Sequence, residues 1–93
     1  MKMASSFVTC PANAWTKVAT AVTTGTIHKV SAAPSIYLQA YVATGGAAPV
    51  GRGVGVPAFK DSITGDTSEI SDSSAIDVYL WADGVAGEVR VDI

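Results

Sequence analysis

Apolar and polar positions alternate with a period of two along much of this chain, the signature of strands with one buried face. Residues 35–43 show it most clearly: Ile36, Leu38, Ala40 and Val42 point one way, Tyr37, Gln39 and Tyr41 the other. In residues 75–82, Ile76, Val78 and Leu80 oppose Asp77, Tyr79 and Trp81. Residues 87–93 set Val89, Val91 and Ile93 inward and Glu88, Arg90 and Asp92 outward. Asp83-Gly84 between these last two stretches is a strong turn signal, so the pattern predicts that they form a β-hairpin.

Shorter signals fill the rest. A strand is predicted at 7–10, stopped by Pro11, and another at 15–23. Thr24-Gly25 marks a turn into a strand at 26–31, which the Ala32-Ala33-Pro34 break ends. Thr44-Gly45-Gly46 makes a turn or wide loop. The VGRGVGV stretch at 50–56 then alternates Val50, Arg52, Val54 and Val56 with three glycines, before Pro57. Its period predicts a strand with one face of bare backbone, which a neighbouring strand, chain or aromatic ring can approach closely; Tyr37, Tyr41, Tyr79 and Trp81 are the candidate rings. Residues 60–74 are polar, with only Ile63 and Ile70 as apolar anchors, and form the longest predicted loop, with a short strand near 68–70.

No window carries a helical stripe, and the composition agrees. Leu occurs only at positions 38 and 80, while small and β-branched residues dominate. The expectation is an all-β fold: a single small β-sandwich or barrel-like domain over residues 1–93, of about six to seven mostly antiparallel strands, with residues 1–6 as a short N-terminal arm.

Charge changes the picture through its distribution. A net charge of −2 argues against a nucleic-acid binder held by phosphate neutralisation. Residues 1–60 carry Lys2, Lys17, Lys29, Arg52 and Lys60 with no acid, whereas all eight acids fall in residues 61–93 beside one Arg90. Either the two parts interleave in space and the asymmetry vanishes, or the molecule has two oppositely charged faces suited to head-to-tail packing. The start of the chain does not fit a secretory signal, and no apolar run is long enough to span a membrane as a helix.

Candidate chemistry is sparse. His28 is the only histidine and Cys10 the only cysteine, so no intrachain disulfide and no one-chain structural zinc site can form. No G-x-S-x-G elbow accompanies His28, and an ordinary strand histidine is the better reading. Asp61, Asp66, Glu69 and Asp72 supply oxygen ligands without calcium-loop spacing, so a solvated acidic loop is favoured over a Ca²⁺ site. No catalytic residue, metal or cofactor is expected. The aromatics Tyr37 and Tyr41 on one strand, and Tyr79 and Trp81 on another, form either a binding platform or the second half of the core. With Arg52 they are the candidate partner-contact residues.

Three segments carry a resemblance: CPANAWTKVAT, YLQAYVATGGAAPVGRGVGVP and EISDSSAIDVYLWADGVAGEVRVDI. Together they resemble small virion structural proteins of tailed bacteriophages, over nearly the whole chain. The resemblance implies a non-enzymatic capsid cement or decoration protein that binds and stabilises the head lattice from the capsid exterior after synthesis in the host cytoplasm. Its partners would be the major capsid protein and copies of itself, as a homo-oligomer, with no nucleic acid and no membrane. The chain lacks a long N-terminal arm to thread under a neighbouring subunit. That leaves a tail- or fibre-associated β-module, binding a carbohydrate receptor or an adaptor protein, as the alternative, and an undetected hydrolase as a third class.

Overall fold

A computed structural model describes residues 5–31, 37–59 and 66–93. It is all-β apart from one 3₁₀ turn, with strands β1 (Ser5–Cys10), β2 (Trp15–Lys29), β3 (Tyr37–Ala43), β4 (Val56–Pro57), β5 (Thr67–Ala82) and β6 (Gly87–Asp92). All six join one antiparallel sheet in the order β1-β6-β2-β5-β3-β4. The sheet curls until the segment after β1 meets the far end of β5, through a parallel bridge at Ala12–Ala82 and an Asn13 N–H bond to the Ala82 carbonyl at 2.7 Å. The predicted barrel-like all-β class is therefore what forms.

Two long strands make the curl possible. β2 and β5 pair along their whole length, but their register shifts three times between Lys17 and Thr24. Such bulges add residues to one strand and bend the pair, the usual device at sheet corners. Ala21 sits at the bend with φ 54°, and the Asp77 carboxylate accepts its amide at 2.9 Å. On β5, Asp72 accepts the Ser74 amide at 3.0 Å within the exposed stretch that bulges opposite.

The strand boundaries correct several expectations. Thr24-Gly25 is not a turn: β2 runs straight through it, with Gly25 opposite Ile70. A Cβ at Gly25 would lie 2.6 Å from Ile93 Cγ2 and 2.9 Å from the Asp92 carbonyl, so glycine is there for close strand approach. The polar stretch from Thr67 onward is strand, because β2 and β5 continue pairing beyond the bend. Ser5 and Ser6 belong to β1, not to an arm. The Ala32–Pro34 break, Ser35, Ile36, residues 1–4 and residues 60–65 of the polar loop lie outside the described residues.

The predicted hairpin is also absent, although Gly84 does turn, at φ 84°. The two edges of the C-terminal half of β5 are filled by β2 and β3, leaving β6 no place beside it. β6 inserts between β1 and the C-terminal half of β2 instead.

Inside the curl lie Cys10, Ile27, Tyr37, Phe59, Ile70, Ile76, Val78, Leu80, Val89 and Val91, all buried. The inward assignment of Val89 and Val91 holds, but Ile93 is 40% exposed. Among the described residues, bases of the first part meet acids of the second. Lys17 pairs with Asp77 at 3.5 Å, His28 with Asp92 at 3.0 Å and Arg52 with Asp83 at 2.8 Å, each a base of the first part against an acid of the second. For the described residues, these pairs support the interleaved reading.

Candidate interaction surface

The register decides what the aromatic residues can do. Residues directly opposite on neighbouring strands share a face. Tyr37 opposes Ala82, Gln39 opposes Leu80 and Tyr41 opposes Val78, so this set looks into the curl. Leu38 opposes Trp81 and Ala40 opposes Tyr79, so the second set looks outward. The two aromatic sets lie on opposite faces of the sheet, and no shared platform exists.

Each candidate contact residue then has its own setting. Tyr37 is wholly buried, edge-on to Phe59 at 5.2 Å, and burial raises its phenol pKa. It is core, not contact surface, because its strand position faces the apolar interior. Tyr79 is also buried, with the Lys17 ammonium 5.8 Å from its ring centre. These two are corrected as contact residues. Tyr41 is exposed at the open end of the curl, where its hydroxyl donates to the Glu69 carbonyl at 3.1 Å and accepts the Ser71 amide at 3.3 Å. Gln39 makes a parallel tie, accepting the Ser68 hydroxyl at 2.7 Å. Trp81 is half-buried and packs edge-on against Trp15 at 5.6 Å.

The VGRGVGV segment does not form the predicted strand. Gly51 takes φ 83°, Arg52–Val54 make a 3₁₀ turn, and only Val56–Pro57 pair, with β3. The result is a strap laid across the outer face and pinned at three points. Trp15 Nε1 donates to the Gly51 carbonyl at 3.0 Å. Arg52 binds Asp83 through both Nε and a terminal nitrogen, at 2.9 and 2.8 Å, a two-point geometry that holds the Asp83 pKa below its usual range. Gly55 lies so close to Trp15 that a Cβ would come 2.5 Å from the ring. The expected approach of a ring to a bare glycine is thus real at one glycine, and Trp15, which was not among the expected rings, supplies it. Nothing lies within 4 Å of a Cβ at Gly51 or Gly53.

Pinning the strap in this way leaves its valines in solvent. Val50, Val54 and Val56 are 85%, 57% and 66% exposed. Val54 and Val56, with Gln39, Ala40 and Tyr41, line a groove of about 400 Å³. This apolar lip beside a short edge strand is a surface suited to a protein partner.

The residues with chemical potential are engaged elsewhere. Cys10 is wholly buried, and burial pushes its thiol pKa to about 11, leaving an unreactive thiol. His28, on the central strand β2, reaches Thr67 on β5 through Nδ1 at 3.0 Å, and Asp92 on β6 through Nε2 at 3.0 Å. This hydroxyl–imidazole–carboxylate line was not legible in the sequence, because its members come from three strands far apart in the chain. Asp92 is further occupied by the Ser5 hydroxyl at 2.7 Å and by Arg90 at 3.1 and 3.2 Å. The Ser5 bond leads in holding its pKa down. With both ring nitrogens and both carboxylate oxygens engaged, the cluster acts as a tie across β1, β6, β2 and β5. Among the described residues no group of three or more His, Cys, Asp or Glu is placed to hold a metal ion.

Comparison with protein-family models, curated proteins and solved structures gave no match to this chain.

Proposed function

We propose that this chain is a non-enzymatic structural subunit that attaches in many copies to a larger protein lattice, as a capsid cement or decoration protein does, with the major capsid protein as its partner on the virion exterior. The observation that carries the reading is the strap at 50–56: a backbone fixed at Gly51, Arg52 and Gly55 that holds three valines out into solvent beside a groove. A rigid apolar lip loses little conformational freedom on docking, so a small contact suffices when many copies act together. The resemblance to small phage virion proteins supports a phage head as the lattice. The carbohydrate-binding alternative draws on Tyr37, Tyr41, Tyr79 and Trp81 sharing one face, and the β3–β5 register divides these four between two faces.

The test is attachment of strap variants to particles. Val54→Lys with Val56→Lys places charge on the lip at exposed positions, so the fold should survive and attachment to particles should fall at least tenfold. Unchanged attachment of a folded double variant would show that the strap is not the docking surface.

A further inference from the structure

A sheet that does not close completely has two edges, and this fold treats them differently. At one edge, β4 is only two residues long and ends in Pro57, a common way to stop further strands from adding. At the other, β1 runs six residues and, among the described residues, pairs only with β6, in a ladder with no register shift. No charged residue occurs between Lys2 and Lys17, and the only proline nearby, Pro11, falls after the strand. None of the usual edge guards is present in β1, neither lysine, proline nor bulge. Phe7, at its middle, is 64% exposed.

The direction of the free backbone groups follows from the ladder. The Glu88 carbonyl accepts the Val30 amide at 3.0 Å, so Glu88 directs its backbone groups toward the β2 side. By strand alternation Gly87, Val89 and Val91 face β1, where their partners are Cys10, Val8 and Ser6. The amides and carbonyls of Ser5, Phe7 and Thr9 therefore point away from the sheet, and none of the described residues pairs with them.

We propose that β1 is a dimerisation edge: two copies of this chain join their β1 strands antiparallel about a two-fold axis at Phe7, making one continuous sheet across both. Identical antiparallel strands are self-complementary under a two-fold axis, so one edge supplies both halves of the contact. Centring on Phe7 lets the two Phe7 residues exchange backbone hydrogen bonds, pairs Ser5 with Thr9 of the other copy, and brings the two exposed rings together on one face. Each copy carries net charge −2, but β1 itself contains no charged residue, so pairing β1 with β1 sets no like charges directly opposite each other. The contact is about 20 Å long, small for a stable dimer, so the dimer is weak and is expected at the upper end of the concentration range tested. The inference does not depend on which lattice, if any, the strap engages.

The test uses the purified chain and sedimentation equilibrium over a range of concentrations. Thr9→Pro removes an outward amide without touching the bonds to β6, and Phe7→Lys places a charge on the symmetry axis. Each is expected to weaken self-association at least tenfold while the circular dichroism spectrum stays unchanged. Val54→Lys with Val56→Lys, at the opposite edge, is expected to leave the dimer intact. A wild-type chain that stays monomeric throughout, folded β1 variants that still dimerise, or a dimer lost on changing the opposite edge would each overturn the proposal. Because no particle is present, failure here is separate from failure of the lattice reading.

Discussion

Replacing Gly25 by alanine probes how tightly β6 lies against the bend-to-tip half of β2. The new Cβ would sit 2.6 Å from Ile93 Cγ2, 2.9 Å from the Asp92 carbonyl and 3.4 Å from Ile70 Cδ1. Ile93 is 40% exposed and can swing aside, but the Asp92 carbonyl belongs to the β2–β6 ladder, where Thr26 opposes Asp92. Overpacking of this kind costs about 1–3 kcal/mol, while removing glycine's freedom from the unfolded chain returns about 0.4–1 kcal/mol. The net is about 1–2 kcal/mol of destabilisation, a fall in Tm of roughly 5–15 °C for a chain this size. Gly53→Ala is the control. Nothing lies within 4 Å of its Cβ, so only the unfolded-state term acts and Tm should rise by a few degrees. Ile93→Ala added to Gly25→Ala should recover part of the loss and no more, because the carbonyl contact remains. Thermal unfolding followed by circular dichroism measures all three. A Gly25→Ala chain as stable as wild type would refute a continuous β2 and restore a turn at Thr24-Gly25.

Two further outcomes follow from the buried and paired groups. Asp77, Asp83 and Asp92 have folded pKa values below the ordinary carboxylate value, led respectively by the Ala21 amide, Arg52 and the Ser5 hydroxyl. Their contribution to stability is complete above the unfolded value of about 4 and is lost as pH falls through the folded values. Denaturant midpoints measured from pH 7 downward should therefore drop below about pH 4, and Asp77→Asn should lower the plateau and flatten the drop; a midpoint independent of pH there would contradict these assignments. Cys10 should resist thiol reagents at pH 8 in the folded chain and react fully in denaturant, and rapid labelling of the native chain would place it outside the core.

Much of the core was legible from alternation. Val78, Leu80, Val89 and Val91 are buried as their spacing predicts, because every second residue of a strand against a core must be apolar. What alternation could not give was the partner of each strand. Nearness in sequence and an Asp83-Gly84 turn suggested a hairpin, but the long β2 and β5 take each other's edges and leave β6 elsewhere. The strand at Thr67–Ser74 was hidden because its side chains are mostly exposed polar groups, so only Ile70 signalled it. The strap misled in the opposite sense, since its period of two arises from glycines, one of which, Gly51, takes a left-handed φ that a regular strand does not use. Of the five candidate contact residues, Tyr41 and Arg52 are exposed and Trp81 half-exposed, while Tyr37 and Tyr79 are buried. Aromatic character alone does not distinguish core from surface, and only the β3–β5 register separates them.

The proposed function requires that the chain act in many copies on a protein lattice through an apolar lip. Quantitative mass spectrometry of purified particles, with and without a wash at ~1 M salt, tests it directly. Such salt cuts the electrostatic screening length to about 3 Å and leaves apolar contacts in place. The expected result is a copy number comparable to that of the major capsid protein, largely retained through the wash. One or a few copies per particle, none at all, or release by salt would contradict it.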